Sequence, residues 1–201
     1  RDINTDNPSE KELINSSLVD AHCHLQLTPC YEDIKGVLSR AVEAGVDNAC
    51  VCAVCPGEDW ERLVSLIENE ATRNFIVPQF GLHPWWIARY WSKHHQTVLA
   101  SLEHCEDCND IVFVETGEAS THTGLQSSRF NDAFLGVLSE ELQTVLIKYP
   151  HAGCGECGLD KGIKRDVSME VQEAVLKVHL DTALSMQRTL TLHCVGAWGK
   201  L

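Results

Sequence analysis

Three residues with metal-binding chemistry stand at alternate positions in the stretch Leu18-Val-Asp-Ala-His-Cys-His-Leu25: Asp20, His22 and His24. Side chains repeat with period two along a strand, so in an extended segment these three share one face. A His-x-His pair at a strand end can put two nitrogens on one ion, and Asp20, one step deeper, can orient a ligating ring. The same spacing also arises on an ordinary strand, so the pattern needs company. His83 follows an apolar run in Gly81-Leu-His-Pro84. Glu156 and Asp160 lie in the glycine-rich His151-Ala-Gly-Cys-Gly-Glu-Cys-Gly-Leu-Asp160, and His193 ends Thr189-Leu-Thr-Leu-His-Cys194. Glycines allow close backbone approach, and a carboxylate between them at a strand end suits a bridge between metals. Taken alone, Glu156 reads as a solvated residue in a tight turn.

Elements that end at one place are needed to gather these groups, and the chain alternates short apolar runs with amphipathic segments as a parallel α/β fold does. Ile34, Val37, Leu38, Ala41 and Val42 form one helix face, stopped at Gly45. Val46 to Val54 reads as the second strand, and Trp60, Leu63, Val64 and Ile67 repeat the helical spacing with Asp59 or Gly57 near its start. Asn74 to Leu82 is the third strand, running into the His83 loop, and a helix is expected from Trp85 to about Glu103. Residues 105–129 break the rhythm and read as a surface insertion between the third and fourth strands, with a short strand expected at Ile111 to Glu115. Leu135, Leu138, Leu142, Val145 and Leu146 restore helix spacing before Pro150. The Glu156 strand follows, then a helix from Ser168 to Met186 with Val171, Ala174, Val175 and Val178 on one face and His179 on its surface. The His193 strand is the last. His22, His24, His83, Glu156 and His193 are therefore expected at the carboxyl ends of successive parallel strands, which in a βα barrel converge on one mouth.

A chain of 201 residues with 44% hydrophobic content can bury the core of a single domain. Its net charge of −13 repels nucleic acid at long range, so a polyanionic substrate needs bound cations or a local basic patch. Lys161, Lys164 and Arg165, just after the Glu156 strand, are the only basic cluster near the expected mouth, and they read first as a solvated lead-in to a helix. No apolar run approaches about 18 residues, so no membrane span is expected. The ten cysteines include the Cys-x-x-Cys pairs Cys52/Cys55, Cys105/Cys108 and Cys154/Cys157, and two such pairs can build a structural zinc site. Against that, Cys50 and Cys52 sit in an apolar run and the pairs are far apart, so the cysteines read as reduced structural thiols of a cytoplasmic or nuclear protein.

Together, Val19-Asp-Ala-His-Cys-His24, Gly81-Leu-His-Pro84, Gly155-Glu-Cys-Gly-Leu-Asp160 and Leu192-His-Cys194 resemble the TatD family of metal-dependent hydrolases, in the amidohydrolase superfamily, in family order and over nearly the whole chain. The resemblance implies an α/β fold of (β/α)8 TIM type and a hydrolase acting on ester bonds, usually a deoxyribonuclease working from 3′ ends with DNA as substrate. It further implies two divalent ions, whether magnesium, manganese or zinc. Carried over by residue, His22 and His24 bind one ion, Glu156 bridges both as the catalytic group, and His193 binds the second. Asp20, His83 and Asp160 are implied as supporting or substrate-binding residues. The implied chemistry is attack on phosphorus by water activated between two metals. No obligate protein partner is expected.

The chain departs from the family pattern at Val195, where members commonly have Arg after His-Cys, and at the 105–129 insertion. It also ends after about five of the eight strands, whereas such barrels take about 250 residues, so positions for a later histidine and aspartate of the family are not found. The sequence thus reads as one domain over residues 1–201, incomplete at its C-terminus, and alone is expected to bind metal poorly and be inactive. Two other classes stay open: a hydrolase of a small ester, lactone or amide, favoured by the acidic surface, and a catalytically inactive truncated product or zinc scaffold built on the cysteine pairs.

Overall fold

The structure, a computed structural model, describes residues 18–102 and 132–201. In them, five strands alternate with helices: β1 (Leu18–Cys23), α1 (Ile34–Glu43), β2 (Val46–Ala53), α2 (Trp60–Glu68), β3 (Ile76–Phe80), α3 (Ile87–Leu102), α4 (Asp132–Lys148), β4 (Gly153–Asp160), α5 (Met169–Met186) and β5 (Leu190–Val195). The expected insertion at 105–129, its strand at Ile111 to Glu115 and the Cys105/Cys108 pair lie outside the described residues.

The sheet runs β1-β2-β3-β4-β5 in chain order, and every neighbouring pair is parallel. It curls into a half-barrel, the incomplete TIM-type α/β architecture expected. Parallel strands end together, so the segments after β1, β3, β4 and β5 meet at one mouth.

The period-two and helical patterns explain the packing. Ala49, Val51 and Ala53 of β2, with Ile76 and Phe80 of β3, cluster with Leu38 of α1, Leu63 and Leu66 of α2, Leu138, Leu142 and Leu146 of α4, and Val171 and Val175 of α5. Each buried Val, Leu, Ile or Phe side chain among these is worth about 1.5–3 kcal/mol relative to exposure. All eight residues of β4, Gly-Cys-Gly-Glu-Cys-Gly-Leu-Asp, are buried. Its glycines let the neighbours close in: a Cβ on Gly158, at φ +152°, would fall 1.9 Å from the His193 carbonyl oxygen. At the two ends of the sheet, by contrast, Leu18 and Val19 of β1 and Leu192 and Val195 of β5 are exposed.

One expectation is overturned. His179 is not on the surface of α5 but fully buried. It stands four residues after Val175 and eight after Val171, so it shares their stripe. The polar residue type hid the position. Burial is tolerated because both ring nitrogens are bonded: Nδ1 donates to the Val175 carbonyl at 2.8 Å and Nε2 accepts from the Leu82 N–H at 2.9 Å.

Candidate metal centre

Glu156 lies near the end of β4, its side chain 8% exposed, and its two oxygens face different histidines. Oε2 is 3.2 Å from His22 Nε2 and 3.5 Å from His24 Nε2, and those two nitrogens are 3.3 Å apart. Oε1 is 3.1 Å from His193 Nδ1 and 3.7 Å from His83 Nε2. The residues expected to share a mouth therefore do so, in two groups joined by one carboxylate.

The first group fits a metal ion by distance and by proton count. Ligands bound tetrahedrally at about 2.0–2.1 Å from one ion lie about 3.3 Å apart, and the triangle of His22, His24 and Glu156 has edges of 3.3, 3.2 and 3.5 Å. His24 Nδ1 lies 2.7 Å from the Cys52 carbonyl and must donate to it, so Nε2 of the neutral ring carries a lone pair. That lone pair faces a carboxylate oxygen. A cation between these two acceptors stabilises them; nothing else in the triangle is fixed as a donor.

In the second group the tautomers separate two roles. His193 Nε2 lies 3.2 Å from Asp160 Oδ2 and donates to it, leaving Nδ1 unprotonated, its lone pair beside Glu156 Oε1. His83 is different. Its Nδ1 accepts the backbone N–H of Trp85 at 3.1 Å, so the ring proton of the neutral form sits on Nε2. A nitrogen carrying a proton donates and does not ligate, so proximity to Glu156 and His193 alone overstates His83 as a metal ligand. Burial, with His193 alongside, holds the His83 pKa down to about 4, against the pull of Glu156. It is a neutral donor aimed at the second group, 3.0 Å from His193 Nδ1.

Asp160 accepts three hydrogen bonds: the Trp85 indole at 2.6 Å and His193 on Oδ2, and the Gly162 N–H at 2.7 Å on Oδ1. Burial raises its pKa, but these donors together outweigh it and hold the carboxyl below the ordinary aspartate range. The Asp20 carboxylate takes the backbone N–H of His22 at 3.1 Å and so fixes the strand at His22. Lys161, Lys164 and Arg165 are exposed in and after the turn that Asp160 caps.

Several residues that position the site carry no sequence signal of their own. The His83 loop is pinned at three successive residues: the Trp60 indole donates to the Gly81 carbonyl at 3.1 Å, the Leu82 N–H to His179, and the His83 N–H to the Val54 carbonyl at 2.9 Å. Gly81 is required there, since a Cβ would fall 2.5 Å from the Gly155 carbonyl carbon and 2.7 Å from the Glu156 carbonyl oxygen. Buried Asp59 gathers the N–H groups of Val54 and Cys55 and the Gln26 amide, and Gln26 also donates to the Cys52 carbonyl at 2.8 Å. The described cysteines are free thiols. Burial pushes Cys23, Cys55 and Cys154 up to about 12 and raises Cys157 well above the ordinary thiol range, as structural thiols require. Cys50 is the exception, drawn down to about 7 first by a hydrogen bond from the neighbouring Cys52 thiol. Among the described residues no cysteine joins a candidate metal group.

Fold and site together define a TIM-type α/β protein with a histidine and carboxylate cluster, able to hold a metal ion, at the carboxyl ends of its strands. The sequence model of the TatD related DNase family matches residues 19–201, and the chain belongs to that family. It is 26% identical over 201 residues to the uncharacterized deoxyribonuclease YMR262W of Saccharomyces cerevisiae, covering 92% of this chain and 60% of that protein. It is 22% identical over 204 residues to the Cut9-interacting protein scn1 of Schizosaccharomyces pombe, covering 92% and 57%. The crystal structure of YJJV, a TatD homolog from Escherichia coli, superposes with a TM-score of 0.59 at 25% identity, over 92% of this chain and 53% of that one. The chain thus spans little more than half the length of these relatives. Among the described residues no helix is long and apolar enough to cross a membrane.

Proposed function

We propose that this chain carries metal-binding residues of a phosphodiesterase that cleaves DNA, working inward from 3′ ends, with two divalent cations as cofactors. The observation that carries the reading is the division of Glu156: Oε2 belongs with His22 and His24, Oε1 with His193. The first cation would be held by His22 Nε2, His24 Nε2 and Glu156, the second by Glu156 and His193 Nδ1. Imidazole and carboxylate donors suit zinc, manganese or magnesium to differing degrees. When bound, the cations supply Lewis acidity toward a phosphate and lower the pKa of water.

The chain's own residues do the rest. Asp160 fixes the His193 tautomer by accepting its Nε2 proton, and Asp20 holds the His22 backbone in place. His83, neutral and with its proton on Nε2, offers a hydrogen bond to a non-bridging phosphate oxygen and strengthens it as charge grows there. The net charge of −13 makes cations, and not a basic surface, the means of meeting a polyanion. The free thiols fit a cytoplasmic or nuclear setting.

The test is release of nucleotides from 3′-labelled single-stranded DNA by the native protein that contains these residues. Release is expected to need added divalent metal and to be lost in Glu156→Gln. The acidic surface also favours the second reading, a hydrolase of small esters, lactones or amides. Metal-dependent turnover of such compounds with none of DNA would establish that reading and overturn the nuclease.

A further inference from the structure

Both imidazoles of the first metal group are backed by one residue of the neighbouring strand, Cys52. Its carbonyl oxygen lies 2.7 Å from His24 Nδ1, and its thiol sulfur lies 3.5 Å from His22 Nδ1. A ligating imidazole is oriented by whatever its second nitrogen bonds, commonly a carboxylate or a backbone carbonyl. His24 has the carbonyl. His22 has the thiol, and no other partner on Nδ1 is found for it among the described residues.

We infer that Cys52 is the positioning residue of the first metal group, its thiol setting the tautomer and ring angle of His22 while its carbonyl does the same for His24. The inference rests on the reading of His22 and His24 as metal ligands. The proton count is consistent. The Cys52 S–H is directed at Cys50, whose carbonyl oxygen lies 4.0 Å from the sulfur, leaving a sulfur lone pair to accept from His22 Nδ1–H. His22 Nε2 is then a lone pair directed at Glu156 and His24, as a ligand requires.

Two further features suit this role. Cys52 is 0% exposed, so water cannot stand in for the sulfur, whereas the His22 side chain is 40% exposed and is free to swing outward if that bond is lost. The backbone of Cys52 is itself fixed. It pairs with Gln79 across the β2/β3 ladder, and its carbonyl also receives the Gln26 amide at 2.8 Å. A side chain on so fixed a backbone holds its sulfur in place. The carbonyl contact survives any substitution, so only the hold on His22 depends on residue type.

The experiment is a titration of the metal-free full chain with Zn2+ against a chromophoric chelator, repeated with Co2+ to read the ligand-field spectrum of the first equivalent. Cys52→Val keeps bulk and removes the acceptor; Cys52→Ser restores a hydroxyl that can accept from Nδ1–H. Loss of such an orienting partner costs about 10–100-fold in metal affinity, and that weakening is expected for Cys52→Val. Cys52→Ser should recover most of it, with metal-free thermal stability showing no matching order. Unchanged affinity in Cys52→Val, with affinity lost in His22→Ala, would overturn the role of Cys52 and leave the metal site standing. If neither His22→Ala nor His24→Ala weakened binding, the metal-site reading would fall and this inference with it. Should Cys52→Val not fold, the imidazole 15N shifts of the unaltered metal-free chain decide the point. A Nδ1–H tautomer for His22 is expected, and a Nε2–H tautomer would refute it.

Discussion

Buried His179 makes the stability of the chain fall as pH falls through the histidine range. Its neutral ring accepts from Leu82 and donates to Val175, and burial lowers its pKa from 6.5 to about 4. The unfolded chain therefore binds this proton more readily than the folded one, and stability is fully present above pH 6.5 and lost as pH falls toward 4. With 1.36 kcal/mol per unit, the loss reaches about 2 kcal/mol at pH 5 and levels off near about 3 kcal/mol. His179→Gln isolates the effect, because its amide oxygen can still accept from the Leu82 N–H but does not titrate. At pH 7.5 the variant should be less stable than the parent by about 1 kcal/mol, for the lost bond to Val175. By pH 5 the order should invert, because only the parent has weakened through this residue. Urea unfolding in chelator at pH 7.5, 6 and 5 measures the difference. A stability gap that is independent of pH would refute the reasoning, since it would mean that His179 is not held neutral by its surroundings.

Two other predictions concern the support of the metal groups. Asp160→Ala removes the acceptor of both the Trp85 indole and His193 Nε2–H, so affinity for the second metal equivalent should drop about 10–100-fold, read by the same chelator titration, while the first equivalent is unchanged. Gly81→Ala drives a methyl against the backbone of Gly155 and Glu156. It should cost about 1–3 kcal/mol in stability by overpacking and, by displacing Glu156, weaken both metal equivalents together, which titration and thermal unfolding can check side by side.

The order of strands and helices was legible because the chain writes it in local periodicities. Ile34 to Val42 declares a helix, Val46 to Val54 a strand, and each is covered on the side its pattern selects. The candidate site residues were legible for the same reason. His22, His24, Glu156 and His193, with His83 beside them as a donor, each follow an apolar run, and parallel strands bring such ends together. The sequence by itself thus determined a parallel α/β fold and a gathering of imidazoles around one carboxylate.

Tertiary structure alone decided which nitrogen of each imidazole is free. That choice depends on partners 2 to 33 residues away: Trp85 on His83, Asp160 on His193, and Cys52 on both His22 and His24. It separates His83, a donor, from His193, a candidate ligand, although both are histidines at strand ends. His179 was misjudged by residue type because nothing local announces the Leu82 N–H that it satisfies from 97 residues away. Spacing encodes which face a side chain takes, a property of the backbone repeat. Protonation and tautomer depend on the donors and acceptors that packing brings alongside, and those are fixed only when distant segments close on one another.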